Sequence, residues 1–180
     1  MKLTTKQKRW WKIAKFFILF NLLAIPMHII LYFNLYYIPL QKFVALLTYN
    51  ILRVLGFQTE ISMYILKVVS FQGIQIVEIS MDSTGWKSLY ALVALVIATP
   101  DRKWKEKIKF LIFALPVIFG LNVLRIATTI AMCATYGLQY FEIIHTLLWR
   151  EGLILVVVAV WYIWLRRINY NIVKNKLSFR

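Results

Sequence analysis

Long uncharged apolar runs alternate with short blocks of lysine and arginine along most of the chain, and this alternation limits the folds open to it. The run 16–37 carries no charge, and at 1.5 Å per residue it reaches about 33 Å, enough to cross a hydrocarbon core of about 30 Å. With 61% of its 180 residues in the hydrophobic set, the chain has too few polar residues to cover a soluble domain. The sequence therefore predicts an α-helical integral membrane protein whose residues 1–180 form a single membrane domain.

The charge of the chain is strongly basic, with 22 Lys and Arg against 7 Asp and Glu. A net charge of +15 would suit a nucleic-acid partner, but the basic residues lie in blocks between apolar runs, the pattern that sets membrane orientation. This pattern favours a cytoplasmic-membrane protein with no nucleic-acid partner. The single cysteine, Cys133, excludes an internal disulfide and a cysteine metal cluster, and we expect no metal and no cofactor.

The basic residues also predict the topology. Six lie in 1–15, five in 101–109 and five in 166–180, and four full spans place all three segments in the cytoplasm. A fifth span at 39–55 would move the middle block outside. We therefore expect 39–55 to be an amphipathic or half-inserted helix at the outer surface, with Lys42 and Arg53 reaching water.

Between this helix and the next span, β-branched residues and an alternation of polar with apolar residues predict a small extracellular β-hairpin or short strands, with a turn at 70–73. Open strand edges are not tolerated in lipid, so the hairpin must lie on the membrane surface. An additional span hidden in this segment is the alternative. The predicted segments are a basic cytoplasmic end 1–15, a span 16–37, the surface helix 39–55, the hairpin 57–82, a span 84–100, a cytoplasmic loop 101–107, spans 108–136 and 142–166, and a cytoplasmic tail 167–180.

Three polar residues on different spans fall at nearly one depth in this topology. Ser83 lies at the outer mouth of its helix, Arg125 lies about 25 Å from the inner boundary, and His145 lies about 31 Å from it. A serine before a helix is often only a capping residue, as Asp82 and Thr84 beside it suggest, and an interfacial histidine is often a packing residue. An arginine within an apolar span costs several kcal/mol unless it is paired or lines a wet cavity, which favours a functional or buried-network role for Arg125.

Other charged residues in the spans have structural interpretations. An ion pair between Lys87 and Glu151 would tie two helices together. Glu142, one turn before His145, either orients the imidazole or lies in water.

Three short motifs resemble those of the archaeosortase and exosortase membrane transpeptidases: the segment Asp-Ser-Thr-Gly-Trp-Lys-Ser at 82–88, Asn-Val-Leu-Arg-Ile at 122–126, and His145 followed by Trp149. The resemblance covers roughly 82–150. It implies a nucleophile at position 83, with Arg125 and His145 acting beside it at the outer membrane face. Supporting or substrate-binding roles would fall to Asp82, Thr84, Gly85, Asn122 and Glu142.

The resemblance also implies a reaction. A membrane-anchored substrate protein would be cleaved at its C-terminal sorting signal, made of a short motif, a transmembrane helix and a basic tail. The new carboxyl end would pass to an acceptor, which we expect to be a lipid. The outer hairpin is placed to bind an extended substrate segment by strand addition.

This chain departs from the family pattern at the nucleophile, since Ser83 stands where the family has cysteine. A thiol with a pKa of about 8.5 is readily activated by a histidine, whereas an alcohol needs a stronger base arrangement. The chain is an engineered cysteine-to-serine variant, a natural serine-using relative, or a relative that has lost the chemistry, and the otherwise intact motif favours the first. We expect this form to be weak or inactive. Cys133 is a poor substitute because it lies in an apolar run and has the character of a small core residue.

Two other functions fit the sequence. The chain would be a non-catalytic membrane binding or assembly protein if Arg125, Lys87 and Glu151 only tie helices together. The third possibility is a membrane acyltransferase that uses His145.

Overall fold

The computed structural model describes residues 4–35, 37–137 and 151–178. In these ranges the chain is mostly helical, with one small antiparallel sheet. The helices are α1 (Thr5–Tyr32), α2 (Ile38–Val54), α3 (Trp86–Ala98), α4 (Trp104–Tyr136) and α5 (Glu151–Ser178), and the strands are β1 (Thr59–Ser62), β2 (Ile65–Ser70) and β3 (Gly73–Glu78).

Two helices, α1 and α4, are long and apolar enough to cross a membrane. They have 28 and 33 residues, or about 42 and 50 Å of helix. None of the residues of α1 is buried, although most of the helix is apolar, as is typical of a helix that faces lipid. It packs beside α3, where the Tyr90 hydroxyl donates to the Leu23 carbonyl oxygen at 2.6 Å. Helix α3 has 13 residues, and the apolar part of α5 runs from Gly152 to Arg166.

Helix α4 contributes to two separate hydrophobic cores. Its first half packs against α3 and α5 in a bundle core formed by Leu92, Val96, Ala114, Ile118, Leu153, Val157 and Trp164. Its second half packs under α2 and the sheet in a sheet core formed by Val44, Ala45, Leu52, Leu66, Val68, Ile79, Val123, Ile126, Ile130 and Ala134. One helix therefore fixes α2 and the sheet relative to the bundle.

Two of the basic segments, 1–15 and 101–109, meet at one end of the bundle. Lys12 Nζ lies 2.5 Å from an Asp101 carboxylate oxygen, which links the start of α1 to the loop between α3 and α4. Lys107 Nζ donates to the carbonyl oxygen of Ile97 at 2.7 Å, and Trp161 Nε1 donates to Thr99 Oγ1 at 3.0 Å. We call this the basic end. The sheet and α2 lie at the opposite end of α4.

The sheet has three strands in the order β1, β2, β3, so the segment forms short strands, one more than a hairpin has. A turn joins β2 to β3 between Ser70 and Gly73, and these two residues are paired across it. The additional strand β1 pairs with β2 through a turn in which Met63 takes a φ of 56°. Because neither turn residue is glycine or asparagine, the sequence carried no clear turn signal there.

Several predicted boundaries also shift. Helix α1 begins at Thr5, after a capping box formed by Thr4 and Gln7, so most of the predicted N-terminal segment 1–15 is helical. Helix α4 begins at Trp104, within the predicted loop 101–107. Helix α5 continues to Ser178 through the predicted tail, since the polar residues there are compatible with helix. A helix is present at 39–55, as predicted, in the form of α2, whereas 142–150 lies outside the described residues.

Candidate active site

Ser83 lies in the middle of one turn of 3-10 helix, Asp82–Thr84, between the sheet and α3. Its amide donates to the Ser80 carbonyl oxygen at 3.1 Å, which closes the turn. The Thr84 hydroxyl donates to the Met81 carbonyl oxygen at 2.7 Å, and Thr84 is fully buried. The turn therefore has its own internal hydrogen bonds and holds Ser83 in a defined, partly exposed position.

The Ser83 hydroxyl has one side-chain partner among the described residues. Ser80 Oγ lies 2.9 Å from Ser83 Oγ and also accepts from the Ser83 amide at 3.3 Å. Ser80 was not among the residues singled out from the sequence. Its spacing of three residues before Ser83, which a single turn brings together, was the only available signal.

The Ser83 carbonyl oxygen binds two side chains from α4. Asn122 Nδ2 donates to it at 2.9 Å, and Arg125 Nη2 donates to it at 3.4 Å. The spacing of three residues places both side chains on one face of the helix. The structure thus brings together Ser83, Asn122 and Arg125, although 39 residues of chain separate Ser83 from Asn122.

Gly85 follows the turn with a φ of +79° and begins α3. A Cβ atom at this position would lie 2.6 Å from Asn122 Cγ, closer than real Cβ contacts allow. Asn122 is only 1% exposed, and its Oδ1 atom has no hydrogen-bond partner among the described residues. Glycine is thus required both by the backbone conformation and by the close approach of the Asn122 amide.

Asp82 and Lys87 form an ion pair across the start of α3, with Lys87 Nζ 2.8 Å from Asp82 Oδ1. The predicted partner of Lys87 was Glu151, whose side chain is outside the described part of the chain. The Asp82 side chain is 70% exposed, so the pair is a surface interaction of small energetic value. His145 and Glu142 also lie outside the described residues, and their predicted positions relative to Ser83 stay predictions.

A cleft of about 210 Å³ opens beside the turn. One wall is formed by residues in and around the turn, Ser80, Met81, Asp82 and Trp86. The other wall is formed by the end of α1 and the residues after it, Ile30, Leu31, Asn34 and Leu35. Cys133, by contrast, is buried in the second half of α4.

Two side-chain donors, from Asn122 and Arg125, meet at the backbone carbonyl oxygen of the residue that carries the Ser83 hydroxyl. A cation beside a nucleophile can stabilise the negative oxygen that forms when a carbonyl is attacked. Among the described residues, no group of three or more His, Cys, Asp or Glu is placed to hold a metal ion.

The comparison with protein families gives one match. The family model described as transmembrane exosortase (Exosortase_EpsH) matches residues 2–165. That range includes the turn around Ser83 and both α4 residues that bind it. No curated protein and no solved structure was found to match the chain.

Proposed function

The chain belongs to the transmembrane exosortase family, and from this premise we propose that it is the framework of a sorting transpeptidase. It would cleave a C-terminal sorting signal of exported surface proteins and transfer the new C-terminus to an acceptor, for which a lipid fits the membrane location. The observation that carries the proposal is the position of Arg125, whose Nη2 atom lies 3.4 Å from the carbonyl oxygen of Ser83. A cation is therefore in contact with the residue whose hydroxyl would attack.

The reaction begins with attack of the residue-83 side chain on a substrate peptide carbonyl. His145 would take the proton from the nucleophile, the C–N bond would break, and His145 would return the proton to the leaving amine. The product is an ester in the serine form and a thioester in a cysteine form. A nucleophilic group of the acceptor would then attack this acyl group, transfer the substrate and release the side chain.

Arg125 would stabilise the oxyanion in both steps. A guanidinium has five N–H donors, so it can bind the Ser83 carbonyl and a substrate oxygen together. Asn122 shares the Ser83 carbonyl, which frees more of the guanidinium for substrate. Removal of one such oxyanion donor typically costs about 10²–10³ in kcat.

For the topology we propose four full spans, formed by α1, by α3 with the turn before it, by α4 and by the last helical segment. The basic segments 1–15 and 101–109 meet at the basic end, which supports a shared cytoplasmic side. Ser83 and Arg125 lie toward the other end of the bundle, next to the sheet. The active site would then face outside, and α2 would lie at the outer surface.

The experiment restores the thiol with Ser83→Cys and supplies reporter proteins that end in a sorting signal. We expect the cysteine form to cleave the reporters and to accumulate a thioester that mass spectrometry detects. Arg125→Ala and His145→Ala should abolish both signals. Arg53→Ala is the matched control, since Arg53 is exposed and binds only Tyr49 among the described side chains.

A non-catalytic assembly protein is the competing function, because the Asn122 and Arg125 bonds to a backbone carbonyl would also serve to tie helices together. No turnover by the cysteine form, with Arg125→Ala lowering only thermal stability, would support that function and contradict ours.

A further inference from the structure

The third strand, β3, forms one edge of the sheet. In an antiparallel ladder, every second residue exchanges backbone hydrogen bonds with the neighbouring strand. The backbone N–H and C=O groups of the residues between them point away from that strand. Ile79, just after β3, donates from its amide to the Tyr64 carbonyl oxygen at 2.9 Å. Every second residue of β3, counted back from Ile79, therefore forms its backbone hydrogen bonds with β2. The backbone groups of Ile74, Ile76 and Glu78 therefore point away from the sheet.

Nothing among the described residues pairs with this edge. The side chains of Ile74 and Ile76 are 71% and 69% exposed, and Phe71 in the preceding turn is 67% exposed. An exposed apolar strand edge is a ready template for another extended chain, and proteins without a use for one usually blunt it with lysine, proline or a bulge. None of these devices occurs in Gly73–Glu78.

The same strand leads directly into the candidate active site. Ile79 is buried, and Gln41 of α2 donates to its carbonyl oxygen at 2.9 Å, which fixes the end of the strand. The next residue, Ser80, binds the Ser83 hydroxyl. A chain paired with β3 is thereby guided toward Ser83.

Strand β3 also runs beside the second half of α4. Gln75 donates to the Cys133 carbonyl oxygen at 3.3 Å, and Ser83 meets Arg125 about two helical turns earlier in α4. The other edge of the sheet, at β1, is two strand spacings away from β3, or about 10 Å. The edge of β3 is therefore the one nearer to the part of α4 that carries Arg125.

We propose that the edge of β3, which is unpaired among the described residues, binds the extended segment of a substrate protein next to its cleaved bond, by adding it as a fourth strand. This inference rests on the proposed function and names how that site takes its substrate. Backbone hydrogen bonds to Ile74, Ile76 and Glu78 align the segment whatever its sequence. Its side chains on the exposed face contact Ile74 and Ile76, so apolar residues at alternate positions bind best.

The first test is photo-cross-linking in the serine form. A photoreactive residue replaces Glu78 of β3 or, as the matched control, Glu60 of β1, and both positions are exposed. The probe is a library of reporter proteins, each ending in a randomised segment, an apolar span of about 20 residues and a basic tail. Position 78 should cross-link to the randomised segment and position 60 should not, whereas equal yields at the two positions would overturn the proposal.

The second test removes one donor from the edge. Ile76→Pro deletes an N–H that points away from β2, so it leaves the ladder between β2 and β3 intact. It should lower the cross-linking yield at position 78 about tenfold, as loss of a backbone hydrogen bond predicts. Ile76→Thr keeps the N–H, and Thr59→Pro makes the equivalent change on β1; neither should reduce the yield so strongly. An Ile76→Pro protein with unchanged yield would also overturn the proposal.

A third measurement does not depend on the folding of any variant. Proline placed successively along the randomised segment of a cross-linked reporter should weaken binding at every second position, because alternate backbone amides face β3. Uniform sensitivity along the segment would contradict strand addition. Cleavage by Ser83→Cys is measured separately: cross-linking without cleavage contradicts the proposed function alone, and cleavage without cross-linking at position 78 contradicts this inference alone.

Discussion

At Gly85 the backbone takes a left-handed conformation at the point where the Asn122 amide packs against it. The same amide donates to the Ser83 carbonyl, so one close contact fixes both the start of α3 and the residue that would attack. A left-handed conformation costs a residue with a Cβ roughly 1–2 kcal/mol. The contact with Asn122 adds a steric penalty on top of that cost.

Gly85→Ala should therefore destabilise the protein by about 2 kcal/mol or more and displace the turn that carries Ser83. The measurements are thermal unfolding in detergent and reporter cleavage in the Ser83→Cys background. Gly120→Ala is the control, because a Cβ atom added at Gly120, within α4, would have nothing within 4 Å. Equal stability of the two variants would contradict the close packing of Gly85 against Asn122.

Asn122→Leu removes the donor to Ser83 while keeping a side chain of similar size. We expect cleavage by the cysteine form to fall at least tenfold, because the carbonyl then depends on Arg125 alone and draws the guanidinium away from substrate. Thr129→Val is the matched control, since Thr129 is buried and its hydroxyl binds, among the described residues, the Arg125 carbonyl oxygen within α4. A similar loss of cleavage in both variants would indicate a general packing defect instead.

The proximity of Ser83 to Arg125 followed from the sequence because the rise of a helix is fixed, so depth can be counted along each span. The hydrogen-bond and ion-pair partners of individual polar side chains did not follow from the sequence. Lys87 pairs with Asp82 in its own segment, and Ser80 meets Ser83, because a 3-10 turn brings them together. The sequence indicated that Asp82, Ser83 and Thr84 could cap a helix but not which turn they would form.

At the scale of elements, α2 packs on the sheet and holds the end of β3, the strand that leads to the candidate active site. Its buried face carries Gln41, Val44, Ala45, Thr48 and Leu52, and Gln41 reaches across to the end of β3. The helix was predictable from its length and apolar content. The third strand of the sheet was not, since β1 has only four residues and no glycine marks the turn after it.

Gln41→Ala should leave the Ile79 carbonyl oxygen unpaired in a buried place, at a cost of about 1–3 kcal/mol. We expect lower thermal stability and faster hydrogen exchange in residues 74–79 than elsewhere in the sheet. Lys42→Ala changes the neighbouring exposed residue and should leave both measurements unaltered. Unchanged exchange in 74–79 after Gln41→Ala would show that α2 does not hold the strand.

At the scale of the whole molecule, two of the three basic segments, 1–15 and 101–109, lie together, and the predicted cytoplasmic side that they would share stays a prediction. Lys12 and Asp101 meet at the basic end, and the sheet lies at the far end of α4. The division of α4 between two cores was not predictable, because the apolar pattern of the helix is continuous through Pro116 and Gly120.

The proposed topology predicts the labelling of two cysteine variants in a Cys133→Ala background. Lys42→Cys should react with a membrane-impermeant maleimide in intact cells, and Lys105→Cys should react only after permeabilisation. The physical reason is the clustering of basic residues on the cytoplasmic side. Labelling of Lys105→Cys in intact cells would contradict the four-span arrangement.

The sharing of α4 between two cores also determines the order in which the protein can assemble during synthesis. Helix α2 and the three strands emerge from the ribosome before α4, yet Val44, Leu66 and Val68 are covered by Val123, Ile126 and Ile130. The sheet core must therefore stay incomplete until α4 has been made. Completion of this core is thus coupled to the synthesis of a later helix, which also brings Asn122 and Arg125 to the turn that carries Ser83.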